Sequence, residues 1–252
     1  VLYAFQNAVK NKEIKLQLQP VKNVVNNTWQ EAEVLTRLIG AKENLISPGV
    51  FMPYLEKNGM MSELDCVVVE KSCELLRKWI DDKKKPLPIN INISGRDITE
   101  DIIYNRLVKT VKQYEIEPSL IGLEIKESAL FEDGDTVKKR INELRGGGFR
   151  VCMDDFGSGY TSITDLANLP VDMIKFAIPF VHNCIGSKKG TTMLKGLIGI
   201  FHKIDIPCVC KGIENMLQER LVRECGCQMS QGDVLEAEMD IEKFEKRFIY
   251  KE

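Results

Sequence analysis

Apolar positions recur along this chain with two periods, and the order in which the periods alternate predicts the fold. Residues 4–12 have helical spacing. Over residues 13–20, Ile14, Leu16 and Leu18 alternate with polar side chains, which predicts a half-buried strand ended by Pro20. Asn26 and Asn27 signal a turn, so residues 30–38 return as a second strand with Glu33, Leu35 and Arg37 on one face. Ser47 and Pro48 open a helix near 48–57. A longer helix from about Ser62 to Trp79 follows, its apolar stripe made by Leu64, Val67, Val68, Cys73, Leu75 and Leu76.

Strand and helix then alternate steadily. Strands are predicted at Leu87–Ile93, Leu120–Ile125, Phe149–Met153, Met173–Phe176, Cys208–Cys210 and around Cys227–Met229, with helical runs near 100–114, 135–145, 161–168, 187–204, 215–225 and 240–249. With the opening hairpin this makes eight strands. Helical crossovers imply a largely parallel sheet, and eight such units closing on themselves make a β/α barrel. An open doubly wound sheet is the competitor, but no Gly-x-Gly-x-x-Gly turn follows the first strand.

Composition narrows the picture. No linker or low-complexity tract divides the 252 residues, so residues 1–252 are expected to form one domain. Acidic and basic residues are interspersed to a net charge of -2, leaving no basic stripe for duplex nucleic acid, although a single nucleotide remains a candidate ligand. No apolar run approaches the roughly 18 residues of a membrane span, and no signal peptide opens the chain. A soluble, cytoplasmic domain is expected. Because the sequence begins with Val, it is expected to be a fragment of a longer protein with a domain or anchor upstream. Eight cysteines without a secretory signal fit reduced thiols. The pairs Cys208 with Cys210 and Cys225 with Cys227 could chelate zinc, but their spacing is tighter than usual for zinc and only two histidines are present.

The candidate chemistry centres on residues 151–160. There an apolar strand delivers Asp154 and Asp155 into a loop bearing Gly157 and Gly159. Neighbouring side chains on a strand point to opposite faces, so both acids can serve one site only if the strand ends there and the glycines let the backbone turn. A plain strand followed by an Asp-rich turn is the competing reading. The other strands decide between them. Their carboxyl ends, where a barrel gathers its site, carry Glu33, Asn92 and Glu124, with Lys175, Lys211, Glu214 and Gln231 beyond. Oxygen donors of this kind suit a hard divalent cation such as Mg²⁺ or Mn²⁺.

Gln19-Pro20, residues 33–37, 92–94, 124–127 and 154–160, Leu169 to Asp172 with Lys175, and Gln231-Gly232 follow the order and spacing of the EAL domain, which the sequence resembles from about residue 4 to the C-terminus. That bacterial family hydrolyses cyclic di-GMP to linear pGpG. The resemblance implies a modified TIM-type β/α barrel with one antiparallel strand, often dimeric through the loop after Asp155, and two Mg²⁺ or Mn²⁺ ions at its mouth. It places the first ion on Glu33, Asn92, Glu124 and Asp154, and the second on Asp154, Asp155 and a glutamate. Gln19, Arg37, Glu127, Glu214 and Gln231 match positions around the nucleotide, and Lys175 keeps a family lysine of the catalytic centre. A GGDEF-type or other regulatory domain upstream is a further expectation.

Two family acids are missing. The glutamate of the second ion is Lys211, and the aspartate two residues after Lys175 is Ala177. Val34, Lys126, Ser158 and Asp233 are lesser departures. An ammonium about 4 Å from a divalent ion would repel it by roughly 8 kcal/mol at an effective dielectric near 20, so at most one ion is expected. The leading reading is therefore a degenerate EAL domain that binds or senses cyclic di-GMP with little or no hydrolysis. A slow metal-dependent phosphodiesterase is the first alternative, and a protein-interaction module without nucleotide binding the second.

Overall fold

The computed structural model describes residues 8–11, 13–39, 45–99, 101–129, 134–159 and 170–250. The helix anticipated at 161–168, the start of the one at 4–12, and Tyr160 and Leu169 lie outside them. The elements are β1 (Ile14–Asn23), β2 (Thr28–Ile39), β3 (Leu45–Ile46), α1 (Pro48–Lys57), α2 (Met61–Asp81), β4 (Ile89–Ile93), α3 (Gly95–Thr99), α4 (Asp101–Gln113), β5 (Ile121–Lys126), α5 (Gly134–Gly146), β6 (Arg150–Phe156) and β7 (Met173–Phe176). They continue with α6 (Ile178–Ile185), α7 (Lys188–Lys203), β8 (Cys208–Cys210), α8 (Met216–Glu224), β9 (Met229–Ser230), β10 (Met239–Asp240) and α9 (Ile241–Phe244), which runs into a π-helical turn, Glu245–Ile249.

The sheet closes through β1, which pairs with both β2 and β9, so that β1, β2 and β4 to β9 form an eight-stranded barrel. The β1 strand runs antiparallel to both neighbours, whereas β2 and β4 through β9 are mutually parallel. The β1–β2 hairpin turns on Asn27, whose φ of 59° is the left-handed conformation that asparagine tolerates. The short strands β3 and β10 were not anticipated, being two residues each. Nor was α6, because eight residues led by Ile178 and Pro179 carry too few turns to reveal a period. At the C-terminus, Glu245 accepts hydrogen bonds from Trp79 Nε1 at 2.9 Å and from Lys78 Nζ at 2.7 Å, fastening the last turn to α2.

Period-two alternation orders the barrel interior in layers. At the amino-terminal end, Glu31 of β2 pairs with Arg150 of β6 at 2.7 Å and accepts from Asn90 of β4 at 2.7 Å, while Arg150 also donates to the side-chain Oδ1 of Asn90 at 3.1 Å. Above this triad lies an apolar cluster of Val21, Cys152, Met173, Val209 and Met229. Two residues nearer the mouth than Val21, Glu31, Asn90, Gly122, Cys152, Met173, Val209 and Met229 come Gln19, Glu33, Asn92, Glu124, Asp154, Lys175, Lys211 and Gln231. The triad leaves no room at Gly122, where a Cβ would stand 2.0 Å from Asn90 Oδ1. Gly122→Ala is therefore expected to displace Asn90 from two partners at once and cost about 1–3 kcal/mol. Chemical denaturation checks this, and an unchanged midpoint would show that Asn90 moves freely.

Candidate functional site at the barrel mouth

The inward-facing residues on β4 to β9 reach the mouth because their strands end there, whereas Gln19 and Glu33 stand within the longer β1–β2 hairpin. Lys175, on β7, is fully buried and ion-paired to Glu33 at 3.1 Å and to Glu124. Glu33 also accepts from Asn92 at 3.1 Å and from Gln231 at 2.9 Å. Lys211, just beyond β8, places its Nζ 2.5 Å from Asp154 Oδ1 and 2.7 Å from Asp155 Oδ1. The adjacent aspartates thus do meet one partner. The device is not the glycines alone: Asp155 itself takes φ 56°, at a register shift of β6 against β7 between Met153 and Phe156, and Gly157 follows at 89°. A bulge turns the second carboxylate back to the side of the first.

The loop beyond is held from β5. Glu127 is buried, and its Oε2 accepts from the backbone amides of Gly157 at 3.0 Å and Gly159 at 2.9 Å.

The protonation pattern follows from crowding. Burial opposes ionisation of Glu33, but Lys175, Lys211 and the bonds from Gln231 and Asn92 outweigh it and hold this carboxyl at about 2. Burial and the charge of Glu33 push Glu124 well above the usual carboxylate range, against the pull of Lys175. Asp154 is raised by burial, against Lys211. Burial disfavours both ammonium groups, yet the surrounding carboxylates raise Lys175 and Lys211 above ordinary lysine.

The donor set, carboxylates and an amide, is of the kind a hard cation takes. Glu33, Glu124, Asp154 and Asp155 against Lys175 and Lys211 leave a formal excess of two negative charges when all are ionised, which one divalent ion neutralises. Glu124 Oε2 is buried with no hydrogen-bond partner. Among the described residues, no three His, Cys, Asp or Glu side chains are grouped as a ready-made metal site, the carboxylates being gathered around ammonium groups instead.

The remaining predicted residues divide. Ala177 is buried just after β7, on the inward face it shares with Lys175, and precedes the first turn of α6. Glu214 is exposed rather than buried with the cluster, its amide donating to Gln218 at 2.7 Å. Gln231 donates to Gln19 at 3.1 Å as well as to Glu33. Gln19 and Arg37 stand on the wall made by β1 and β2, but each is engaged by the segment after β9. Gln19 Nε2 lies 3.4 Å from Asp233 Oδ1, and Arg37 Nη2 lies 2.5 Å from Glu238 Oε1. Of these acids only Asp233 was singled out. The signal for Glu238 was there in the run of acids at 233, 236, 238 and 240 directly after Gln231-Gly232.

A closed barrel whose parallel strands deliver carboxylates, amides and lysines to one end defines a β/α-barrel domain with a polar, cation-compatible mouth. The EAL domain family model matches residues 3–237, and the chain belongs to that family. It is 28% identical over 244 residues to the signaling protein YkoW of Bacillus subtilis, covering 97% of this chain and 30% of that protein. To the bifunctional diguanylate cyclase/cyclic di-GMP phosphodiesterase MucR of Pseudomonas aeruginosa it is 25% identical over 243 residues, covering 96% and 36%. The chain thus spans about a third of the length of these relatives. A solved structure described as the PaMucR phosphodiesterase in complex with c-di-GMP superposes with a TM-score of 0.89 at 25% identity, covering 96% of this chain and 98% of that one. The chain is thus an EAL domain, and cyclic di-GMP is named in the descriptions of relatives such as MucR, one structure of which is a complex with that nucleotide. Among the described residues, no helix is long and apolar enough to cross a membrane.

Proposed function

We propose that this EAL domain binds cyclic di-GMP as a sensor and hydrolyses it poorly or not at all. The observation that carries the reading is Lys211, whose ammonium lies within 2.7 Å of both Asp154 and Asp155. Active members, as the resemblance implies, hold a second divalent ion between these aspartates and a glutamate at the position of Lys211. Here a side-chain cation takes that place. It supplies positive charge beside a phosphate without supplying a second metal.

Glu33, Asn92, Glu124 and Asp154 would hold a single Mg²⁺ or Mn²⁺. Bound there, the ion would polarise a phosphodiester oxygen as a Lewis acid. Lys175 keeps Glu33 and Glu124 together, Glu127 fixes the loop after Asp155, and Arg37 offers a planar fork suited to phosphate oxygens.

Calorimetric titration with Mn²⁺ is expected to give one ion per chain, and Glu124→Gln to remove it by deleting a charged ligand. Cyclic di-GMP is expected to bind while turnover stays far below roughly 1 s⁻¹, an ordinary enzymatic rate. Two tightly bound ions, or turnover at that rate, would overturn the sensor reading in favour of a working phosphodiesterase.

A further inference from the structure

The wall of the mouth formed by β1 and β2 presents a row of donors. Alternation puts Lys15, Gln17 and Gln19 on one face of β1, and the register sets Arg37 opposite Lys15 and Glu33 opposite Gln19. Each of these four donors is engaged by the segment between β9 and α9. Lys15 Nζ is 3.0 Å from Asp240 Oδ2, and Gln17 Nε2 is 3.2 Å from Asp240 Oδ1. Gln19 Nε2 meets Asp233 Oδ1 and the Glu236 carbonyl, both at 3.4 Å, and Arg37 pairs with Glu238 at 2.5 Å. The segment is anchored at both ends. Gln231 amide nitrogen donates to the Cys210 carbonyl at 3.0 Å, while Met239 and Asp240 pair with Leu18 and Gln17 as β10. Between the anchors, Glu236 is ion-paired to Arg247.

From this geometry we infer that residues 233–240 form an acidic strap that occupies the anion-binding wall of the mouth, with Asp233 and Glu238 setting how strongly the domain discriminates against a phosphodiester. The inference rests on the proposed nucleotide-binding reading and deepens it. Glu238 holds the Nη2 end of the Arg37 guanidinium, while Nη1 donates to the Thr36 carbonyl at 3.0 Å, so a diester must displace Glu238 before a phosphate oxygen can bind at that end. Because the strap is tethered, the displaced carboxylate stays at high local concentration and competes at every ligand concentration. The nucleotide's apparent affinity is reduced by the fraction of molecules in which the strap is released. Glu238 is also half-exposed, which suits it to give way: its pair with Arg37 is solvated on one side and can be traded for a doubly charged ligand.

The test is calorimetry of the full chain with cyclic di-GMP at fixed ionic strength, comparing the parent, Glu238→Gln, Asp233→Asn with Glu238→Gln, and Glu238→Gln with Arg37→Ala. Glu238→Gln is expected to bind about fivefold tighter, the size of one partly exposed ion pair. The double variant should bind tighter still, and Arg37→Ala should erase the gain. Hydrogen exchange of the 233–240 amides should rise when the nucleotide binds the parent. Equal or weaker binding by Glu238→Gln, with the parent binding normally, overturns the strap and leaves the sensor reading intact. If no form binds cyclic di-GMP, the sensor reading fails and inorganic pyrophosphate becomes the probe. A gain in pyrophosphate affinity in Glu238→Gln that requires Arg37 sustains the strap, and no gain overturns it.

Discussion

Lys211→Glu combined with Ala177→Asp is expected to raise cyclic di-GMP hydrolysis in Mn²⁺ by about 10²-fold or more over the parent, and by more than the two single changes multiplied together. The physical reason lies between Asp154 and Asp155, where the Lys211 ammonium lies within 2.7 Å of both carboxylates. Replacing it with a carboxylate exchanges a resident cation for an anionic cluster that a metal ion would neutralise. Ala177 faces inward with Lys175 and sits at the N-cap of α6 without a side-chain capping bond, so an aspartate there is tolerated locally and can cap the helix. Groups that stabilise one transition state act as a unit, so restoring one while the other is absent returns little. A second readout separates metal binding from turnover. Without Mn²⁺, Lys211→Glu should unfold at lower temperature than the parent because three acids face one another, and Mn²⁺ should stabilise it more than it stabilises the parent. If the double variant binds two ions yet stays inactive, the lesion lies elsewhere, with Lys126 and Asp233 the next positions to restore.

Lys175→Met is expected to cost about 3 kcal/mol of stability, or roughly 6–12 °C in Tm for a chain of this size. Lys175 is fully buried and holds Glu33 and Glu124, and its removal leaves one of them charged in the barrel without a partner. Protonation of Glu124, already pushed upward by burial and by Glu33, limits the loss. Two rescues follow from the same physics. Adding Glu124→Gln should recover part of the stability by neutralising the orphan, and saturating Mn²⁺ should recover part by replacing the missing cation. A Tm within about 2 °C of the parent would show that the carboxylates need no counter-charge, and the view of Lys175 as the keystone of the cluster would be wrong.

The barrel was legible because its signals are local and repeated. Alternation in 13–20 and 30–38 marked the opening hairpin, and the apolar runs before Asn92, Glu124 and Asp154 marked strands whose ends carry the site. One rule, that every second residue of a strand faces inward, brings Glu33, Asn92, Glu124, Asp154, Lys175, Lys211 and Gln231 to one mouth. No comparable signal announced α6 or the two-residue strand β10. Their existence depends on what they pack against.

The sequence by itself therefore determined the kind of barrel, the inventory of acids and lysines at its mouth, and the reversal of charge at Lys211. Which charge meets which was decided only by the tertiary structure, since ion pairs such as Lys211 with Asp154 and Arg37 with Glu238 join residues 57 and 201 positions apart. Alternation fixes the face on which a side chain stands, but not the partner that reaches it from another strand. Nor did the residues around 155 reveal that Asp155 would adopt φ 56° and turn back toward Lys211. That conformation is disfavoured locally, and it persists because the β6–β7 bulge and the ammonium of Lys211 together stabilise it.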